Sequence, residues 1–211
     1  MFFYKMKSLP YFLVLVLFAF HLQGEAQINL SAEQVAQKAA AKISGSNGLS
    51  AQFTIVNNGK KGNGSIKSSG NKFTVNLPGA SMWYNGKDLY TFNSNTNETT
   101  IVNPTAQELL DSNPLLYVKS GGGAFSYSFS PNKIKGKYVV NLLPRDKKNE
   151  IKKLIFTVNA NDFKTEKIEV NTSNGNFTIE ITDFKTNIPI SSNEFEYPKS
   201  KYPNAEIVDL R

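Results

Sequence analysis

The sequence of 211 residues contains no cysteine and a single histidine, His21. The lack of cysteine excludes disulfide-stapled folds, thiol catalysis and thiolate metal sites. His21 lies in a segment that we expect to be removed, so the mature chain would have no imidazole for acid–base catalysis or zinc binding. Arginine is also scarce, with Arg145 and Arg211 alone, which makes nucleic acid a poor partner. These absences predict a protein that is not an enzyme and that needs no metal and no cofactor.

The first 26 residues predict a secretory signal peptide. Two lysines precede an apolar run over residues 11–20, and Gly24 and Ala26 occupy the −3 and −1 positions of a cleavage site. The run is about half of the roughly twenty apolar residues that span a bilayer, which disfavours a membrane anchor. We therefore expect cleavage after Ala26 and a periplasmic product. Residues 27–211 are expected to fold as one domain.

The mature chain would be basic. Removal of residues 1–26 takes away two lysines and one glutamate and lowers the formal net charge from +7 to +6. The remaining lysines are spread along the chain, as on solvated loops and strand faces. A basic surface can also guide docking to an acidic protein or an anionic membrane.

One amphipathic helix is predicted near the start of the mature chain, over residues 31–43. Ser31 followed by Gln34 forms a capping box, and Gly45 offers a stop. The apolar residues in between recur at helical spacing and are mostly alanines. Such a narrow stripe favours close packing against a sheet.

The rest of the chain alternates apolar and polar residues with a period of two, which is typical of half-buried strands. Turn signals such as Asn58-Gly59, Asn85-Gly86 and Asn174-Gly175 separate the strands. We expect about ten or eleven strands between residues 49 and 188. Because no strand–helix–strand pattern occurs, the expected fold is α+β and mainly β, an unclosed and strongly curved antiparallel barrel. Glu194 and Glu196 are expected to share one solvated strand face.

Residues 103–118 interrupt the strands with helix signals. Thr105 and Glu108 form a second capping box, and Pro114 divides the segment into two short helices. Three glycines at residues 121–123 follow. The segment is predicted to be either a fixed plug at one end of the barrel or a lid hinged at the glycines.

The order of these parts resembles the LolA-type periplasmic lipoprotein carrier family. The resemblance is carried by the aromatic strand and turn at residues 83–92 (WYNGKDLYTF), the next strand at 100–102, and the helix opening at 104–110. Near the C-terminus, the segments FEYP at 195–198 and NAEIVD at 204–209 are similar to the closing pattern of the family.

That resemblance implies an unclosed barrel that wraps over lid helices and binds the acyl chains of lipoproteins. It implies two partners, an inner-membrane lipoprotein-releasing complex and an outer-membrane acceptor, and we expect a monomer that binds no nucleic acid. Many members place an arginine after the second strand, where it contacts the lid. This sequence has Lys67 and Lys72 there, so these two lysines are the substitutes that the resemblance offers.

The apolar strand residues are the candidates for lining a lipid cavity, with ordinary core packing as the alternative for each. Their number on one face of a curved sheet favours a cavity. The cavity candidates are Phe53, Ile55, Phe73, Val75, Leu77, Leu89, Phe125, Tyr127, Phe129, Leu154, Phe156, Ile179 and Ile181. The lid candidates are Leu109, Leu110, Leu115 and Leu116.

Two other functions remain open at this point. One is a periplasmic domain that senses lipid or lipoprotein and passes a signal. The other is a secreted β-rich structural or carbohydrate-binding module, for which Trp83, Tyr84 and Tyr90 could provide a groove of exposed aromatic rings.

Overall fold

A computed structural model describes residues 29–45, 47–119 and 123–211. In this part of the chain, one curled sheet of twelve strands carries three α-helices and two short 3-10 helices. The predicted signal peptide and two of the three predicted hinge glycines lie outside the described residues. The helices are α1 (Ala32–Ser44), α2 (Ala106–Ser112) and α3 (Leu116–Lys119), and the 3-10 helices are Ser192–Phe195 and Lys199–Lys201. The strands are β1 (Leu49–Asn57), β2 (Lys60–Ser69), β3 (Lys72–Leu77), β4 (Ala80–Tyr84), β5 (Leu89–Asn93), β6 (Glu98–Val102), β7 (Phe125–Phe129), β8 (Lys137–Pro144), β9 (Ile151–Asn159), β10 (Thr165–Thr172), β11 (Gly175–Thr186) and β12 (Glu206–Asp209).

The order of strands across the sheet is β12-β6-β5-β4-β3-β2-β1-β11-β10-β9-β8-β7. Every neighbouring pair is antiparallel except β12, which runs parallel to β6. The two outermost strands, β12 and β7, do not pair with each other, so the sheet curls without closing. The predicted unclosed antiparallel barrel is confirmed, and β12 is a strand beyond the predicted range.

The alternation of apolar and polar residues gives the sheet two different faces. We call the face that packs against α1 and α3 the inner face, and the opposite one the outer face. Phe53 pairs with Ile181 across β1 and β11, and its ring lies over Gly64 of β2. A Cβ atom at Gly64 would lie only 2.4 Å from that ring. Glycine is therefore required where the aromatic ring crosses the neighbouring strand.

Helix α1 fills part of the inner face. It begins with the predicted capping box, in which the Ser31 hydroxyl accepts a hydrogen bond from the backbone N–H of Gln34 at 3.1 Å and the Gln34 side chain accepts one from the backbone N–H of Ser31. Its alanine-rich stripe is buried against β7, β8, β9 and α3. The predicted packing of this stripe against the sheet is therefore confirmed.

The outer face of β3–β6 is covered by the C-terminal segment. Trp83 is buried beneath Tyr197 and Tyr202, with ring centroids 5.5 and 5.8 Å away, and Tyr197 stacks on Tyr90. The Thr99 hydroxyl donates a hydrogen bond to the phenol of Tyr197 at 2.8 Å. The sheet thus has a second, smaller apolar cluster on the side away from the helices.

Two expectations about this region are wrong. Glu194 and Glu196 do not share a strand, because residues 192–195 form a 3-10 helix. The three aromatic rings proposed for a carbohydrate groove do not line one groove. Trp83 and Tyr90 lie on the outer face beneath Tyr197, whereas Tyr84 packs against Phe73 on the inner face with centroids 5.3 Å apart.

Candidate functional site

The predicted cavity residues all lie on the inner face of the sheet. In this conformation most of them are covered by other apolar side chains. Nine are buried in one continuous apolar cluster with α1 and α3, and three more are partly buried against it. Phe129, at the end of β7, is 44% exposed. The buried nine are Phe53, Phe73, Val75, Leu89, Phe125, Leu154, Phe156, Ile179 and Ile181, and the partly buried three are Ile55, Leu77 and Tyr127.

The two halves of the predicted lid differ in depth. No residue of α2 is buried, and its Leu109 and Leu110 are only partly covered. Leu115 is 2% exposed, and Tyr117 and Val118 of α3 are equally deep. Leu116 is partly exposed. Helix α2 therefore covers the inner face loosely, whereas α3 is inserted into it.

A short joint separates the two helices. The Asn113 backbone N–H donates to the carbonyl of Leu109 at 2.9 Å and ends α2, and the Asn113 side chain accepts a hydrogen bond from the Leu115 N–H at 3.0 Å. Pro114 follows Asn113 and, as predicted, prevents one continuous helix. The joint allows α2 to be a separate unit from α3.

Helix α2 is closed at its start by the second predicted capping box. The Thr105 hydroxyl accepts a hydrogen bond from the backbone N–H of Glu108 at 3.2 Å, and the Glu108 carboxylate accepts one from the Thr105 N–H at 2.7 Å. The backbone hydrogen bond, followed by one from the Thr105 hydroxyl, lowers the pKa of Glu108. The carboxylate is therefore ionised at neutral pH and caps this seven-residue helix.

Tyr117 anchors α3 in the inner face. Its ring meets Phe177 of β11 edge to face, with centroids 6.0 Å apart, and its hydroxyl lies 3.4 Å from the Asp111 carboxylate. Burial is the main cause that raises the pKa of Tyr117 to about 12, and the negative charge of Asp111 adds to it. The phenol is therefore neutral over the whole physiological range and acts as a hydrogen-bond donor.

A pocket of about 140 Å³ lies between the lid and the sheet. Leu109 and Leu116 border it on the lid side, Phe73 and Tyr84 on the sheet side, and Lys72 at its rim. This volume is well below the roughly 300 Å³ at which ligand sites begin. The pocket would have to grow, by movement of the lid, before it could hold a long chain.

Of the two lysines that the resemblance offers as lid contacts, only Lys72 lies at the lid. Lys67 is on the outer face, where its Nζ atom lies 2.8 Å from the Glu194 carboxylate. Lys67 pairs with Thr74 in the middle of β2 and β3, whereas Lys72 is the first residue of β3, next to the turn that borders the pocket. In this structure Lys67 is thus paired with Glu194 on the outer face, and Lys72 is the lysine that borders the lid pocket.

A second and wider cavity lies at the other end of α1. This edge groove has a volume of about 610 Å³ and runs beside β7 and β8, with Leu30, Phe129, Ile134 and Tyr138 among its lining residues. Tyr138 stacks between Phe129 and Phe163 at centroid distances of 5.9 and 6.2 Å. Of these residues only Phe129 was predicted. The signal for Ile134 was an isoleucine between two lysines in a turn, which no alternation pattern detects.

None of the described helices is long and apolar enough to cross a membrane. The longest of them, α1, has 13 residues, against about twenty needed for a span.

Comparison with solved structures places this fold among known ones. An uncharacterised conserved protein from Thermus thermophilus superimposes with a TM-score of 0.57 at 11% identity, over 84% of this chain and 98% of that one. The LolA superfamily protein NE2245 from Nitrosomonas europaea gives a TM-score of 0.42 at 15% identity, over 80% and 98% of the two chains. LprF from Mycobacterium bovis gives 0.43 at 12% identity, over 79% and 96%. No curated protein matches the sequence significantly.

The sequence itself matches one family model. The match extends over residues 22–174, well over half of the chain, and includes α1, the lid and the first ten strands. The family is described as outer membrane lipoprotein carrier protein LolA. Together with the unclosed sheet and its covering helices, this match shows that the chain belongs to the LolA family of outer membrane lipoprotein carrier proteins.

Proposed function

We propose that the protein is a periplasmic carrier that holds the acyl chains of lipoproteins against the inner face of its sheet, beneath the lid. The observation that carries this proposal is the arrangement of the lid. A helix with no buried residue, α2, covers a small pocket in an otherwise continuous apolar face. A structural plug would be expected to bury its apolar side chains fully.

Transfer energies support a site of this kind. An acyl chain of roughly fifteen methylenes gains about 12 kcal/mol on leaving water, at ~0.8 kcal/mol per methylene. A carrier must recover most of this free energy and still release its cargo without a nucleotide. Many moderate apolar contacts suit that task, because no strong polar bond has to be broken on release.

The side chains between the lid and the inner face indicate how an acyl chain would enter. When α2 moves away, the pocket bordered by Leu109, Leu116, Phe73 and Tyr84 opens to solvent at its lid side. An incoming chain then replaces the contacts of the lid with its own. On release, Leu109 and Leu110 return and cover the apolar face, so the empty carrier does not expose it.

Lipids that co-purify with the protein provide the direct test. The mature chain, isolated from the periplasm under native conditions, should contain acylated peptides or lipids that mass spectrometry identifies after solvent extraction. In solution, a synthetic triacylated lipopeptide should displace an environment-sensitive apolar dye, whereas the same peptide without its acyl chains should not. A dye signal that the lipopeptide leaves unchanged would contradict the proposal.

A matched pair of variants locates the site. Leu116→Asp places a charge at the rim of the lid pocket, and Leu143→Asp places the same charge on the outer face of β8, where the leucine is 47% exposed. We expect the first variant to lose lipopeptide binding and the second to retain it. Circular dichroism and a thermal melt check that both variants are folded. Equal loss in both would contradict binding beneath the lid.

The location and the partners follow from the same proposal. Residues 1–26 direct export, so N-terminal sequencing of the periplasmic protein should begin at Gln27. The carrier receives cargo from an inner-membrane lipoprotein-releasing complex and delivers it to an outer-membrane acceptor. Pull-down of the carrier with a crosslinker in intact cells should recover lipoproteins together with a protein of each membrane. Recovery of the carrier alone would contradict these partners.

A further inference from the structure

The edge groove combines an apolar floor with positive charge at its mouth. Two of its apolar residues, Phe129 and Ile134, are 44% and 50% exposed and line the same groove, and grouped exposed apolar residues mark binding sites more often than isolated ones do. Lys133 and Lys135 flank Ile134 in the turn between β7 and β8, and both line the groove. Its volume of about 610 Å³ lies within the range of ligand sites.

The charges of Lys133 and Lys135 are not used by the fold. Within residues 29–45, 47–119 and 123–211, no carboxylate lies within ion-pair distance of either lysine. The third lysine of the groove, Lys137, is different because it pairs with Glu166. Burial alone would raise the pKa of Glu166, but hydrogen bonds from Lys137 and Asn159 hold it below its ordinary value. Glu166 is therefore ionised and neutralises Lys137. The charges of Lys133 and Lys135 remain available to an anionic ligand.

The floor of the groove is aromatic and continues into a stack of rings. Phe129, Tyr138 and Phe163 form a stack of three rings, and the ammonium group of Lys38 from α1 lies 5.0 Å from the centre of the last ring. Aromatic pairs at such distances contribute roughly 0.5–1.5 kcal/mol each beyond their buried area. An apolar chain laid along the stack would bury rings that are exposed in the free protein.

From this juxtaposition we propose that the edge groove binds a single-chain anionic amphiphile, with the acyl chain on the Phe129–Tyr138 floor and the phosphate or carboxylate at Lys133 and Lys135. The site lies near the start of α1, whereas the lid pocket includes Ile43 from the last turn of that helix. A helix of 13 residues extends about 20 Å. The groove is thus separate from the lid pocket, and the proposal goes beyond the carrier function.

The absence of cysteine allows a reporter that is specific for the groove. Ile134→Cys, labelled with an environment-sensitive fluorophore, places the dye in the groove of the otherwise unchanged mature protein. The probes are dodecyl phosphate, laurate and the uncharged monolaurin, each kept below its critical micelle concentration. We expect the two anions to bind about threefold to tenfold more tightly than monolaurin, from two exposed charge contacts. The difference should shrink as salt rises, because the contacts are screened.

Variants test the lysine contacts to the anionic group separately from the apolar contacts to the acyl chain of the ligand. Lys133→Gln/Lys135→Gln should reduce the affinity for dodecyl phosphate to that for monolaurin, and Phe129→Ser should weaken all three probes. Lys147→Gln/Lys148→Gln, in the exposed turn after β8, removes the same charge elsewhere. This control should leave the affinities for all three probes unchanged. Equal affinities of the anionic and uncharged probes would overturn the proposal, even if the lipopeptide still binds beneath the lid.

Two further results would also overturn it. Competition by inorganic phosphate at the concentration of the amphiphile would indicate a small-anion site. Binding to phosphatidylglycerol vesicles but not to monomeric dodecyl phosphate would indicate docking to a membrane surface. Failure of the carrier function is distinguishable from each of these, because it removes lipopeptide binding in the lid assay while the Ile134→Cys reporter still responds to the anions.

Discussion

The lid can be tested by a covalent bridge between α2 and the sheet. Leu109 of α2 and Lys72 of β3 border the same pocket from opposite sides. The double variant Leu109→Cys/Lys72→Cys, joined by a short bis-maleimide that contains a reducible disulfide, would keep α2 closed. Since the native chain has no cysteine, no other residue competes for the reagent.

The burial of the lid residues sets the expected magnitude. A fully buried leucine contributes about 1.5–3 kcal/mol, so the two half-buried leucines of α2 contribute together about 1.5–3 kcal/mol. That difference favours the closed position by roughly 10- to 100-fold, at ~1.4 kcal/mol for each factor of ten. Helix α2 of the free protein would then be open for about 1–10% of the time. The bridge removes this open fraction altogether, and a pocket of about 140 Å³ remains.

We therefore expect the bridged protein to lose displacement of the apolar dye by lipopeptide and to regain it when the bridge is reduced. The control is Ser69→Cys/Lys72→Cys, which uses the same cysteine at 72 but joins two directly paired residues of β2 and β3 and leaves α2 free. It should bind normally with and without the bridge. Unchanged uptake in the bridged α2 variant, with the crosslink confirmed by mass spectrometry, would refute a moving lid.

Three further predictions concern the fold around the site. The raised pKa of Tyr117 means that its neutral phenol stabilises the folded protein fully below pH 10.0. This contribution is lost as the pH rises toward about 12. Urea unfolding should therefore show a steeper loss of stability in this range for the native protein than for Tyr117→Phe. Gly64→Ala should destabilise the protein by about 1–3 kcal/mol, because the new Cβ atom overlaps an aromatic ring. Gly62→Ala, where nothing lies within 4 Å, is its control in the same strand, and equal unfolding midpoints would contradict the overlap. Lys67→Gln should lower the free energy of unfolding by less than about 1 kcal/mol, as expected for an exposed ion pair with Glu194. It should also leave lipopeptide binding unchanged. A loss of binding would indicate that Lys67 contacts the lid.

Local patterns account for the parts of the fold that the sequence predicted. The capping boxes at Ser31 and Thr105 depend on residues three positions apart, so both helix starts are visible without any tertiary information. The same holds for the hairpin at Asn58-Gly59, whose positive φ angles of 49° and 75° suit the turn between β1 and β2. The alternation of period two then assigned the cavity candidates to one face.

Features that depend on distant contacts were missed. Strand β12 has four residues and pairs in parallel with β6, and nothing in residues 206–209 specifies that partner. The 3-10 helix at residues 192–195 is held by the sheet, since the Thr74 hydroxyl donates to the Glu194 carbonyl at 2.6 Å. The ion pair of Lys67 with Glu194 likewise depends on where that 3-10 helix lies on the sheet. Each of these features is set by packing between segments that are far apart in the chain.

The unequal depth of the two lid helices bears on how cargo could be both held and released. Residues 115–118 bury Leu115, Tyr117 and Val118, which at about 1.5–3 kcal/mol each corresponds to about 5–9 kcal/mol, in addition to about 1.5–3 kcal/mol for α2. Displacing both segments would cost roughly 6–12 kcal/mol, against the ~12 kcal/mol that one acyl chain gains on leaving water. In the proposed carrier, movement of α2 would be the less costly first step and would admit the chain. Displacement of α3 in a second step would then offset a large part of the remaining gain. A carrier built in this way would bind its cargo with a small net free energy, which an acceptor with a deeper apolar site could exceed without any external energy source.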